Sequence, residues 1–200
     1  PAFARLFFER SLEFTAAEPS VDLVVWPESA LPVSFENAET LIEQIALAAD
    51  GTALLLGALR LENEKVLNSI VYMDQNGVAK VVYDKHHLVP FGEYLPFEHW
   101  LDRIGLGFTS DLFGTGFAAG EGPKRINIAP LGAVVPLICY EAVFPQDVSF
   151  ASQEAAILLL LTNDAWFGGF AGPQQHLAQA KMRSIEQGLP MIRVANTGIS

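Results

Sequence analysis

Cysteine occurs once in the 200 residues, at Cys139. A single thiol excludes an internal disulfide and a metal site built from several cysteines. Basic residues are scarce too: 12 Lys and Arg stand against 23 Asp and Glu, a formal net charge of -11. Phosphate binding needs clustered Lys and Arg, so nucleic acid is excluded as the main partner. A polybasic patch for anionic lipid is missing for the same reason. No apolar run approaches the roughly 18–20 residues that span a bilayer. The longest, Ala155 to Leu161, has the length of a buried strand. The start, Pro1-Ala2-Phe3-Ala4-Arg5, lacks an initiator Met and the basic region of a signal peptide. The expectation is a piece cut from a longer protein at both ends, with any membrane anchor outside it.

What is present is apolar and ordered. Half of the residues are hydrophobic and 18% are charged, which argues against disorder. The length suits one domain, residues 1–200, with a substantial core. Residues 3–17 carry apolar positions at helical spacing, and Val21 to Trp26 reads as a buried strand ended by Pro27. A helix is predicted from Asn37, as cap, to Asp50, with Gly51 as stop. Thr52 to Leu59 is strand-like. Val66–Met73 and Val78–Tyr83 flank Asp74-Gln75-Asn76-Gly77, a hairpin signal. Residues 84–122 form a long irregular stretch with at most a short helix near 97–104, and such stretches are often functional. Strands follow at Ala133–Ile138, Ala155–Leu161 and Met191–Ala195, with helices at 146–153 and 173–188. This alternation implies an α/β sandwich whose sites lie beyond strand carboxyl ends.

Three residues at such ends carry chemistry. Cys139 is delivered by an apolar strand to an abrupt turn at Tyr140-Glu141. A lone Cys is more often a small buried hydrophobe than a nucleophile. A nucleophilic thiol needs a base or cation to favour thiolate, and a nearby N–H, such as that of Tyr140, for an oxyanion. Glu28 sits between Pro27 and Pro32, held rigidly after a buried strand. In a partly dry pocket its pKa would rise and suit a general base, although an isolated Glu is usually a solvated carboxylate. Lys85, a surface residue by habit, would as a buried cation stabilise thiolate and oxyanion. His86 and His87 suggest a metal, but adjacent side chains diverge and no other ligand cluster accompanies them, so no metal and no cofactor is assigned.

Together these residues resemble one family. Glu28, Lys85 and Cys139, in that order, match the nitrilase-superfamily constellation. The wording around them is narrower: Trp26-Pro27-Glu28-Ser29-Ala30, the run Lys85 to Pro96 enclosing Pro90-Phe91-Gly92-Glu93-Tyr94, Cys139-Tyr140-Glu141 and Thr162 to Gly168. With Gln175-His176 and Arg193 to Ser200, these runs look like the apolipoprotein N-acyltransferases. One departure separates the chain from soluble amidases and nitrilases, which usually carry Arg-Phe-Pro-Glu after the cysteine; here Val143-Phe144-Pro145-Gln146 stands there.

The resemblance implies a nitrilase-like α-β-β-α sandwich lacking the family's membrane helices, and also its first and last strands, which would leave an open sheet edge. It implies acyl transfer from a phospholipid donor to the N-terminal amine of a diacylglyceryl-cysteine lipoprotein, through a thioester on Cys139. It also implies a domain on the outer side of the bacterial cytoplasmic membrane. Glu93 is expected to orient Lys85 or bind the amine, or merely to tie down its loop. Glu141 would support the same network or lie at the surface. The loop aromatics Phe91, Tyr94, Phe97, Trp100, Phe108, Phe113, Trp166 and Phe167 would form a membrane-facing mouth or pack over the core. Two readings compete: a soluble carbon–nitrogen hydrolase acting on a small amide, and a catalytically dead binding domain.

Overall fold

A computed structural model describes residues 2–17, 21–94, 96, 116–168 and 170–200. The expected short helix near 97–104, and with it Phe97, Trp100, Phe108 and Phe113, lies outside the described residues. The elements are α1 (Ala2–Ala17), β1 (Leu23–Trp26), α2 (Glu39–Ala49), β2 (Ala53–Glu62), β3 (Lys65–Met73), β4 (Ala79–Asp84), β5 (Ile126–Ile128), β6 (Gly132–Ile138), α3 (Pro145–Ala151), β7 (Ile157–Asn163), α4 (Gly172–Gln187) and β8 (Met191–Asn196).

They build two four-stranded sheets, ordered β1-β2-β3-β4 and β5-β6-β7-β8. β2 runs parallel to β1, and β3 and β4 follow antiparallel. Two reversals return β4 to the direction of β1, so both strands end at the same side of the sheet. In the second sheet β6, β7 and β8 are mutually parallel. Among the described residues β1 and β8 each pair on one side only.

Continuous apolar runs work here because each strand serves two cores. Along β2, Leu54, Leu56 and Ala58 face an outer core with Phe8 of α1 and Ile45 of α2, while Ala53 and Leu55 face the space between the sheets. Along β7, Leu159 and Leu161 join that central core, while Leu158 and Leu160 pack on Val148 of α3 and Ala180 of α4. Period-two side-chain alternation divides the run between two layers, giving helix, sheet, sheet, helix. Each fully buried leucine contributes roughly 1.5–3 kcal/mol.

Local signals held with small corrections. The Asp74–Gly77 hairpin forms, Asp74 Oδ1 accepting from the N–H of Asn76 and Val78, and Gly77 takes φ +74°. The second helix starts later than expected. Asn37 lies in a 3₁₀ turn, its side chain donating to Ser34 Oγ rather than capping α2. Asp50, at φ +45°, takes the left-handed stop one residue before Gly51. β2 runs on to Glu62 and turns through Asn63 and Glu64, both at positive φ. No Gly marks that turn, so its sequence signal is weak.

Candidate active site

Glu28, Lys85 and Cys139 all line one cavity of about 350 Å³ where β1, β4 and β6 end. Glu28 reaches it on a loop fixed from below. Trp26 packs edge-on against Phe8 and donates its indole N–H to Thr15 Oγ1 at 3.0 Å. Ala30 N–H donates to the Gly57 carbonyl at 2.8 Å. Gly57 is required: a Cβ there would lie 2.2 Å from the Pro27 carbonyl oxygen. Asn68 of β3 donates to Glu28 Oε1 at 2.8 Å, whereas Oε2 is buried and has no partner among the described residues. Burial raises the Glu28 pKa, and the Lys85 cation opposes this only in part.

Lys85 is 1% exposed, the opposite of a surface lysine. Its N–H donates to the Asn68 carbonyl at 2.8 Å, continuing the β3–β4 ladder past the end of β4. Its ammonium donates to Glu93 Oε1 at 2.7 Å and stands 3.8 Å from Glu28 Oε1. Burial pulls the ammonium's pKa down, but Glu28, Glu93 and Cys139 outweigh it and the net direction is up. Glu93 is itself held, Oε2 accepting from Val89 N–H at 2.8 Å. It both ties down its loop and orients Lys85. Of the two carboxylates, Glu93 is the closer partner of the Lys85 ammonium.

Cys139 leaves β6 at φ +49°, a left-handed conformation that costs an L-residue energy and persists only where the surroundings enforce it. The enforcement comes from behind. His176 of α4 lies 3.2 Å, through Nε2, from the Cys139 carbonyl oxygen. Its Nδ1 faces Asp164 Oδ1 at 2.8 Å, and Arg193 of β8 donates to Asp164 Oδ2 at 2.8 Å. Burial, reinforced by the Glu28 charge, pushes the thiol pKa up to about 12, with Lys85 pulling the other way. The direction of the shift favours the thiol over the thiolate.

Glu141 is buried, not a surface carboxylate. Oε1 accepts from Tyr83 O–H at 3.0 Å and His86 N–H at 2.7 Å, and Oε2 accepts from Ile138 N–H at 2.8 Å. It staples the Lys85 loop to the Cys139 turn without lining the cavity. Tyr140 lines the cavity, its ring edge-on to Phe144. Trp166 and Phe167 form part of the wall yet are 76% and 43% exposed. Phe91 and Phe170, at 64% and 89%, are also solvent-facing. The loop aromatics that are described therefore expose their rings rather than pack over the core.

Glu28, Lys85, Cys139, Glu93 and Tyr140 thus line one cavity, and Glu141 lies outside it as a brace. Asn68 and the Asp164–His176–Arg193 chain were not singled out for any role. Asn68 and Arg193 had a signal, a polar or charged residue set inside an apolar strand, as in Leu67-Asn68-Ser69-Ile70 and Met191-Ile192-Arg193-Val194; Asp164 and His176 had none of this kind. Buried, such groups require partners.

The carbon-nitrogen hydrolase family model matches residues 7–200. The apolipoprotein N-acyltransferase of Rhodopseudomonas palustris is 43% identical over 188 residues, covering 90% of this chain and 35% of that protein. That of Brucella suis is 42% identical over 190 residues, covering 92% and 36%. The chain therefore spans little more than a third of these relatives' length. Among solved structures, a carbon-nitrogen hydrolase from Helicobacter pylori G27 superposes with TM-score 0.66 at 20% identity, covering 96% of this chain and 70% of that one. A mutant amidase from Nesterenkonia sp. AN1, carrying acrylamide added at its active-site cysteine, gives 0.64 at 20% identity, covering 96% and 70%. The likeness to these two supports the two-sheet fold, and with the match over residues 7–200 the chain belongs to the carbon-nitrogen hydrolase family.

Proposed function

We propose that this chain is the catalytic part of an acyltransferase that moves a fatty acyl group from a phospholipid to the N-terminal amine of a diacylglyceryl-cysteine lipoprotein. The observation that carries the reading is the cavity in which Cys139, Lys85 and the buried Glu28 carboxylate converge. Similarity to relatives named apolipoprotein N-acyltransferase supports the choice of donor and acceptor. The exposed Trp166 and Phe167 beside the cavity support an apolar donor.

In the first half-reaction Glu28 takes the Cys139 proton, and the thiolate attacks the ester carbonyl carbon. Lys85, with the Tyr140 N–H, holds the oxyanion. The C–O bond breaks, Glu28 returns the proton to the departing lysophospholipid oxygen, and a thioester remains on Cys139. In the second, the acceptor amine attacks the thioester and Glu28 accepts its proton. The C–S bond breaks, and the thiolate regains a proton from Glu28. Glu93 positions Lys85 throughout. Positioning the amine supplies effective molarity against water, which would otherwise waste the acyl group.

No described helix is long and apolar enough to cross a membrane. On this reading the domain works at the outer face of the cytoplasmic membrane, held there by segments beyond this chain. Two covalent half-reactions require ping-pong kinetics. Varying phospholipid at several concentrations of lipopeptide acceptor should give parallel double-reciprocal lines. Intersecting lines would contradict the proposal, and release of ammonia from small amides without acyl transfer would favour the amidase reading.

A further inference from the structure

Adjacent residues in an extended loop ordinarily point apart, yet His86 and His87 do not. His86 Nε2 lies 3.3 Å and His87 Nε2 3.1 Å from the same atom, Asp147 Oδ2 on α3. The three ligand atoms lie within 4.8 Å of one another. Tetrahedral coordination with bonds of about 2.0–2.1 Å places neighbouring ligand atoms about 3.3–3.4 Å apart. Each imidazole is therefore already close to the tetrahedral edge spacing from Asp147 Oδ2.

The surroundings fit as well. His86 Nδ1 faces the buried Glu141 carboxylate and the Tyr83 hydroxyl. A carboxylate behind the non-ligating nitrogen fixes ring orientation and tautomer, the arrangement found behind most metal-bound histidines. Asp147 and Glu141 together would offset a dication's charge. A solvent-reaching hollow lined by His86, His87, Tyr140 and Phe144 gives the two imidazoles access to water. None of His86, His87 and Asp147 lines the cavity of Cys139.

We propose that His86, His87 and Asp147 form a binding site for one divalent transition-metal cation of the zinc type. Two imidazoles select Zn²⁺, Co²⁺, Ni²⁺ or Cu²⁺ over Mg²⁺ and Ca²⁺, which prefer all-oxygen sites. The cation joins the Lys85 loop to α3, and through Glu141 and the Ile138 N–H it adjoins the turn that holds Cys139. Its role is to brace that turn from outside the reaction cavity.

The test uses the full protein carrying Cys139→Ala, which removes the thiol as a competing ligand, stripped with a chelator and titrated with Co²⁺ and then Zn²⁺. The expected result is one equivalent of Co²⁺ with the visible absorption of a tetrahedral centre, displaced by Zn²⁺ and unaffected by Mg²⁺. Asp147→Asn and His87→Ala, each confirmed folded by circular dichroism, should weaken binding by at least roughly tenfold. Zn²⁺ should also raise the thermal midpoint of the parent but not of Asp147→Asn. Absence of a tetrahedral Co²⁺ spectrum, or equal affinity in parent and both variants, would overturn the site and leave the cluster an ion-paired network.

Discussion

Glu28 is asked to be ionised enough to accept a proton and buried enough to want one. Burial raises its pKa above the ordinary 4.5 while the thiol beside it stands near 12. Two predictions belong to this scale. Alkylation of Cys139 by iodoacetamide should accelerate as pH rises through the Glu28 ionisation, well before the thiol itself titrates. In Glu28→Gln that early rise should vanish, and turnover should fall about 10²–10⁴-fold. A pH profile unchanged by the substitution would remove Glu28 as the base. The same shift has a stability consequence. A carboxyl whose folded pKa is raised costs stability once it ionises, so the cost is absent below about pH 4.5 and present at neutral pH. Glu28→Gln should therefore melt higher than the parent at pH 7 and lose that advantage near pH 4. Thermal unfolding at the two pH values checks this.

The elements show how far a sequence can be read. Glu28, Lys85 and Cys139 were legible because each stands where an apolar run stops, and strand ends were the clearest local feature. The Asp74–Gly77 hairpin was legible for the same local reason. The α2 cap was not, because Asn37 finds Ser34 in a preceding turn. Nor was the support behind Cys139, since Asp164, His176 and Arg193 lie 25, 37 and 54 positions further along the chain and meet only when β6, β7 and β8 pair and α4 packs beside them. That support makes its own prediction. His176→Ala removes the group facing the Cys139 carbonyl and should relax its positive φ. The expected loss is in kcat, on the order of 10²-fold, with KM for phospholipid nearly unchanged. Equal changes in both constants would point to a general packing defect. Gly57→Ala drives a Cβ into the Pro27 carbonyl at 2.2 Å and should shift the Glu28 loop, at a cost of about 1–3 kcal/mol. Chemical denaturation and turnover of this variant should fall together.

At the scale of the whole molecule, two sheets share a central core and carry their helices outside. Glu28, Lys85 and Cys139 sit where strands of the two sheets end together, so their cavity exists only when the sheets are docked. The sandwich was legible from strand–helix alternation, and its division into two cores follows from the period-two pleat. The exposed aromatics were not decidable from sequence, because composition does not say which way a ring faces. Exposed Trp166 and Phe170 on a chain of net charge -11 predict a particular kind of lipid contact. Trp166→Ser with Phe170→Ser should raise KM for phospholipid while leaving the reactivity of Cys139 toward iodoacetamide unchanged. Binding to vesicles should not strengthen with anionic lipid, as it would for a basic surface. The central claim is a covalent acyl group on Cys139. Intact-mass spectrometry of the full protein, incubated with phospholipid in detergent, tests it most directly. A mass gain of one acyl group, removed by hydroxylamine and absent in Cys139→Ala, is the predicted result. No gain from a protein whose Cys139 alkylates readily would contradict it.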